Sequence, residues 1–113
     1  MRLLKQSNQQ EYNFPIAALC VNSEIEPDIV KRSERILRHD GYIVVKVINF
    51  TNKPDDNDLD IMYSNMNKQI IENADLVVGI SIDNNSVAVP TDINLALKYA
   101  KQLHINTNIL HFV

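Results

Sequence analysis

Nine carboxylates crowd into three short stretches of this 113-residue chain: Glu24, Glu26 and Asp28, then Asp55, Asp56, Asp58 and Asp60, then Asp83 and Asp92. Against them stands Lys53 alone, a net of −8, and since the whole chain carries −3, everything else carries +5. Asn22, Ser23, Thr91 and Asn94 lie in or beside the same stretches and can donate and accept hydrogen bonds. Carboxylates in such company can attack an electrophilic carbon, stabilise a developing positive charge, hold a hard cation, or cap a helix. Which of these applies depends on what the fold brings together.

Some chemistry is excluded at once. A dinucleotide or phosphate site needs glycines that let the backbone approach the anion, and a helix N-terminus open to it. Asn22-Ser23-Glu24-Ile25-Glu26-Pro27 has no glycine and two carboxylates, so no NAD, FAD, FMN or other cofactor is expected. Ser23-x-x-Glu26 has capping-box form, which gives Glu24, Glu26 and Asp28 a helix-capping role as their first reading. The Asp55 to Asp60 run lacks the turn glycine and distal Glu of a calcium-binding helix-loop-helix, so a solvated loop entering an N-cap is expected and no metal site is assigned. A two-component receiver domain needs an acidic pair where this chain has Leu19, Cys20, Val21 and Asn22, and is rejected. Cys20 reads as a buried packing residue, because the acidic loop after it would repel a phosphoryl group. His39 and His104 fall near helix ends, and His111 in an alternating terminal strand, with no nucleophile to pair with.

Four strand-sized apolar runs must position these groups: 14–21, 42–49, 75–82 and 107–113. The middle two are nearly continuous in Val, Ile and Leu, the habit of strands covered on both faces. Helical stripes fill the gaps: Ile29, Val30, Ser33, Ile36 and Leu37; Leu59, Met62, Met66 and Ile70; and Ile93, Ala96, Leu97, Ala100 and Leu103, the last beginning at Thr91 as N-cap. Right-handed crossovers then predict an α/β single three-layer domain. Its four-stranded parallel sheet has flavodoxin-like or half-Rossmann order 2-1-3-4, over residues 1–113 with 1–12 as an N-terminal extension. The first helix takes one face and the other two the opposite face. The first face is therefore expected to be under-covered and hidden by a homo-oligomer interface or by the N-terminal extension.

At 45% hydrophobic and 22% charged residues, the chain is too apolar for disorder and too evenly charged for a polybasic nucleic-acid binder. Lys31, Arg32, Arg35 and Arg38 read as a solvated helix face. One cysteine, no apolar leader and no membrane-length apolar window point to a cytoplasmic protein that engages neither membrane nor nucleic acid.

One stretch carries a resemblance. Ile70-Ile71-Glu72-Asn73-Ala74-Asp75-Leu76-Val77-Val78-Gly79-Ile80, a polar loop, and Pro90-Thr91-Asp92-Ile93-Asn94 opening a helix with Lys98-Tyr99-Ala100 resemble the nucleoside 2-deoxyribosyltransferase-like families. Those show a helix ending in Ala-Asp, a hydrophobic strand, a loop, and Gly-Thr-x-x-Glu leading a helix. The resemblance implies a nucleoside-sized pocket at the strand ends and a carboxylate acting on the anomeric carbon through an oxocarbenium-like transition state. The chain departs from the pattern where the nucleophilic Glu falls on Asn94 or Ala96, and where Asn22-Ser23 replaces a Gly-rich loop. Asp92 or Asp83 would then take the catalytic role, with Asn22, Ser23, Thr91 and Asn94 binding the ligand. The expected function is a nucleoside-type small-ligand binding domain, in which N-glycosidic transfer or hydrolysis depends on that replacement. The alternative is a non-enzymatic regulatory or accessory domain that binds a protein partner.

Overall fold

A computed structural model describes residues 14–82 and 89–112. Strands and helices alternate: β1 (Ile16–Val21), α1 (Pro27–His39), β2 (Ile43–Ile48), α2 (Asp58–Glu72), β3 (Leu76–Ile82), α3 (Thr91–Gln102) and β4 (Asn106–Phe112). All strand pairs are parallel and the sheet order is β2-β1-β3-β4, as handedness requires of three crossover helices. The expected N-terminal extension lies outside the described residues. No helix among the described residues is long and apolar enough to cross a membrane.

Side chains in register on parallel strands share a face. Leu19 lies beside Lys46 on β2 and Val78 on β3, and Lys46 reaches Glu34 of α1 at 3.1 Å, so this is the α1 face. Gly79 faces the opposite way, where a Cβ would meet Ile93 Cγ2 at 2.9 Å and Leu97 Cδ1 at 3.0 Å of α3. Absence of a side chain there is what lets α3 sit down on β3. The core between these layers is closed by Ala18, Leu19, Cys20, Val77, Val78, Ile80, Ile93 and Ala96, all essentially inaccessible. Small residues on β1 and α3 are what permit this close approach of helix to sheet.

Helix α2 departs from its sequence pattern. The stripe Leu59, Met62, Met66 and Ile70 does not form its inner face: the first three are about half exposed, while Ser64, Asn67 and Ile71 are buried. Backbone hydrogen bonding is the reason. Asn67 Nδ2 donates to the Ile48 carbonyl at 2.9 Å, and Ser64 Oγ donates to the Thr51 carbonyl at 3.2 Å. These are acceptors at the end of β2 and in the loop after it, which the covered sheet would otherwise leave unpaired. The helix is rotated by these two bonds, and its apolar stripe looks outward.

The helix starts also differ from expectation. Glu26 is the N-cap of α1, with Pro27 as first helical residue and no side-chain cap, so the Ser23 to Glu26 box is not formed. Pro90, not Thr91, is the N-cap of α3. In both places a proline near the boundary sets it, because a fixed φ suits the first turn or its approach. Exposed apolar side chains lie on α2, at Leu59, Met62, Tyr63 and Met66, and by register also on the α1 face of the sheet, at Ile48 and Ile82. On the α1 side of β4 the register places Asn106 and Asn108, which face water without penalty.

Candidate functional site

The order β2-β1-β3-β4 places a switch point between β1 and β3, where successive connections leave in opposite directions and the loops at the carboxyl ends diverge. Ligands of open parallel sheets bind in that crevice. The loop after β1 is fixed by Asn22. Its Oδ1 accepts from the Glu24 N–H at 2.9 Å and its carbonyl from the Ile25 N–H at 3.2 Å, a tight turn that buries Ile25 and leaves Ser23 and Glu24 exposed. Its Nδ2 then crosses the crevice to donate to Asp92 Oδ1 at 2.8 Å, seventy residues later in the chain. The same Asp92 oxygen accepts the N–H of Ile93 at 2.9 Å, in the first turn of α3, where a carboxylate is favoured by the helix dipole.

Asn22, Ser23, Thr91 and Asp92 therefore line one cavity of about 600 Å³, together with Glu24, Asn49, Val89 and Pro90. Asn94 is exposed on α3 outside this lining; its N–H bonds the Pro90 carbonyl at 2.9 Å. Asp83 lies outside the described residues. Besides Val89 and Pro90, two polar residues of the lining, Glu24 and Asn49, are not among the site residues expected from sequence. Glu24 reads there as a capping residue, but the helix starts after Glu26 and frees it to face the cavity. Asn49 follows β2 directly with φ of 52°, in the left-handed region that Asn tolerates, and its N–H bonds the Val21 carbonyl at 3.0 Å. An Asn at the last position of a strand-like run is the signal that could have found it.

Other candidates resolve into structure. Cys20 is buried directly behind the site. Burial, and secondarily the charge of Asp92, pushes its thiol up from 9.0 to about 12, so it stays protonated and unreactive. Asp75 accepts the Ile16 N–H through Oδ2 at 2.8 Å while its own N–H bonds the Ile16 carbonyl at 2.8 Å, tying the helix-to-strand step to β1. Tyr99 donates to Glu72 Oε2 at 2.6 Å, which raises the phenol's pKa, and its ring lies 5.7 Å from that of Phe50. It braces α2 to α3 and is not in the cavity lining. Asp60 and Asn57 cap α2 reciprocally, Asn57 Oδ1 accepting the Asp60 N–H and Asn57 Nδ2 donating to the Asp60 carboxylate, each at 2.9 Å. Among the described residues no three His, Cys, Asp or Glu side chains gather closely enough to hold a metal ion.

A larger cavity, about 670 Å³, opens between the outer edge of β2 and α2. Ile48, Pro54, Tyr63, Met66 and Ile70 give it an apolar wall; it shares Asn49 with the switch-point cavity but contains neither Asn22, Ser23, Thr91 nor Asp92. Chemistry rather than size favours the smaller, polar cavity as the ligand site.

Comparison with known proteins bears on the fold. No family model matches the sequence, and no match is found among curated proteins. Among solved structures, the chain is similar to a 2-desoxiribosyltransferase from Leishmania mexicana, with 18% identity and a TM-score of 0.53. The match covers 86% of this chain, which spans about 65% of that protein's length. The two share a fold at this level of likeness.

Proposed function

We propose that the chain binds a nucleoside-type small molecule in the polar cavity between the ends of β1 and β3. The observation that carries this reading is the Asn22 to Asp92 hydrogen bond across the switch point, which holds a carboxylate at the mouth of a nucleoside-sized cavity. Both bonds to Asp92 from the described residues fall on Oδ1, so Oδ2 is left to meet a ligand hydroxyl or an electron-poor carbon. Ser23, Asn49 and Thr91 supply neutral donors and acceptors around it, the pattern that suits a sugar. Glu24 and Asp92 make the lining anionic, which selects neutral or cationic ligands over phosphorylated ones. The similar fold of a 2-desoxiribosyltransferase supports the same ligand class.

If the site is catalytic, Asp92, with Asp83 as the other candidate, stabilises positive charge developing at the anomeric carbon. Asn94, at a position where the related pattern has Glu, lacks the charge and faces outside the lining. Binding without turnover is therefore the form of the proposal that requires least of the site. Thermal shift with a panel of nucleosides and nucleotides tests it. At a ligand concentration ten times Kd, linkage gives about 1.4 kcal/mol, roughly 4 to 6 °C for a domain of this size. Stabilisation by a nucleoside, greater than by its phosphate ester and lost in Asp92→Asn, is the expected result. The alternative, a protein-binding accessory domain, is favoured by the outward apolar stripe of α2.

A further inference from the structure

Six of the exposed large apolar side chains belong to two neighbouring elements, β2 and α2. Ile43 and Ile48 of β2, and Leu59, Met62, Tyr63 and Met66 of α2, are each 48 to 55% exposed. Between them lies the larger cavity. Among the described residues, this flank also carries a backbone edge without a strand partner. The N–H groups of Ile43 and Asn49 bond Pro15 and Val21 beside them, so odd-numbered residues of β2 face β1 and Val44, Lys46 and Ile48 face out. The Ile48 carbonyl is already taken by Asn67. Among the described residues, the N–H and C=O of Val44 and of Lys46 remain, with one lysine to protect a strand that otherwise reads Ile, Val, Val, Val, Ile. Such an edge invites pairing.

We infer that a second copy of this chain docks here, β2 against β2 in antiparallel fashion about a two-fold axis at Val45, making a continuous eight-stranded sheet. The register follows from which groups are left. With Val45 opposite its counterpart, Val44 of one copy and Lys46 of the other exchange both hydrogen bonds, twice over by symmetry, and no free carbonyl is wasted. Shifting the axis to Lys46 would set like charges opposite each other and call on the Ile48 carbonyl that Asn67 occupies.

Charge distribution favours a copy of the same chain over another partner. The connection after β2 is acidic, with Asp55 and Asp56 against Lys53 and with Asp58 opening α2, whereas α1 ends in Arg38 and His39 four residues before β2 begins, Arg38 lying 3.6 Å from Glu34. An antiparallel pair lays each acidic connection beside the other copy's basic helix end. On the α2 side, Met66 and Ile70 lie nearest the axis, since they share a small cavity with Val45, and Met62, Tyr63 and Leu59 extend the apolar contact outward. The isologous arrangement closes on itself and leaves the polar cavity at the switch point open.

The test is sedimentation equilibrium of the full chain over a range of micromolar concentrations, together with amide exchange of Val44 and Lys46. A monomer–dimer equilibrium is expected, with both amides protected only as dimer forms. Met66→Glu and Arg38→Glu should each weaken it roughly tenfold or more, with unchanged circular dichroism, and Asp56→Arg should restore the Arg38→Glu variant. A monomer at every concentration overturns the inference: protected amides would then mean cover by the chain's own residues, and rapid exchange an open edge. A dimer indifferent to Met66→Glu, or one that Asp56→Arg fails to restore, overturns it as well.

Discussion

Asp92 is held from two sides, by the amide of Asn22 and by the first turn of α3. Replacing it with Asn keeps the size and one acceptor but removes the charge. We expect Asp92→Asn to fold with stability within about 1 kcal/mol of wild type, and to lose nucleoside-dependent stabilisation in a thermal-shift assay. Behind it, Cys20 makes the fold sensitive to alkali. Its thiol titrates at 9.0 when exposed and at about 12 in the fold, so the contribution is complete below pH 9 and is lost as pH rises through that window. Over it, wild type should lose up to about 1.4 kcal/mol per pH unit more than Cys20→Ala in urea denaturation. An equal pH dependence of the two would contradict the assignment. Asn22, Ser23, Thr91 and Asp92 were legible in the sequence because residues following parallel strands converge at a switch point. Glu24 and Asn49 were not, since their exposure to the cavity depends on where α1 begins and on one left-handed backbone conformation.

At the scale of elements, close packing and backbone satisfaction decide more than hydrophobic periodicity. Gly79→Ala would push a methyl group against Ile93 and Leu97, and we expect a loss of about 1 to 3 kcal/mol by denaturant unfolding, the usual cost of overfilling a packed core. Asn67→Ala would strip the Ile48 carbonyl of its partner; the expected cost is about 1 to 3 kcal/mol. Helix α3 was legible because its stripe of Ile93, Ala96, Leu97 and Ala100 is buried in its own chain. The stripe of α2 looks the same in sequence yet points outward. Periodicity reports that a face is apolar, not which surface covers it, and two polar side chains with carbonyls to satisfy turn the helix the other way.

The whole molecule was the most legible level. Strand-sized runs alternating with helical stripes leave few topologies, and crossover handedness reduces these to the observed parallel order β2-β1-β3-β4. The charge asymmetry read from sequence persists in the fold: carboxylates of the β1–α1 and β2–α2 connections and of Asp92 gather at the carboxyl ends of the strands. Their field opposes anionic ligands, so a nucleoside should bind more tightly than its monophosphate, with the gap narrowing as salt is raised. Calorimetric titration of uncharged nucleosides into wild type and Asp92→Asn tests nucleoside binding at the switch point most directly. At least one nucleoside is expected to bind wild type at submillimolar concentration and to lose that binding in the variant. Absence of binding by every nucleoside at millimolar concentration, or binding undiminished in Asp92→Asn, would contradict it.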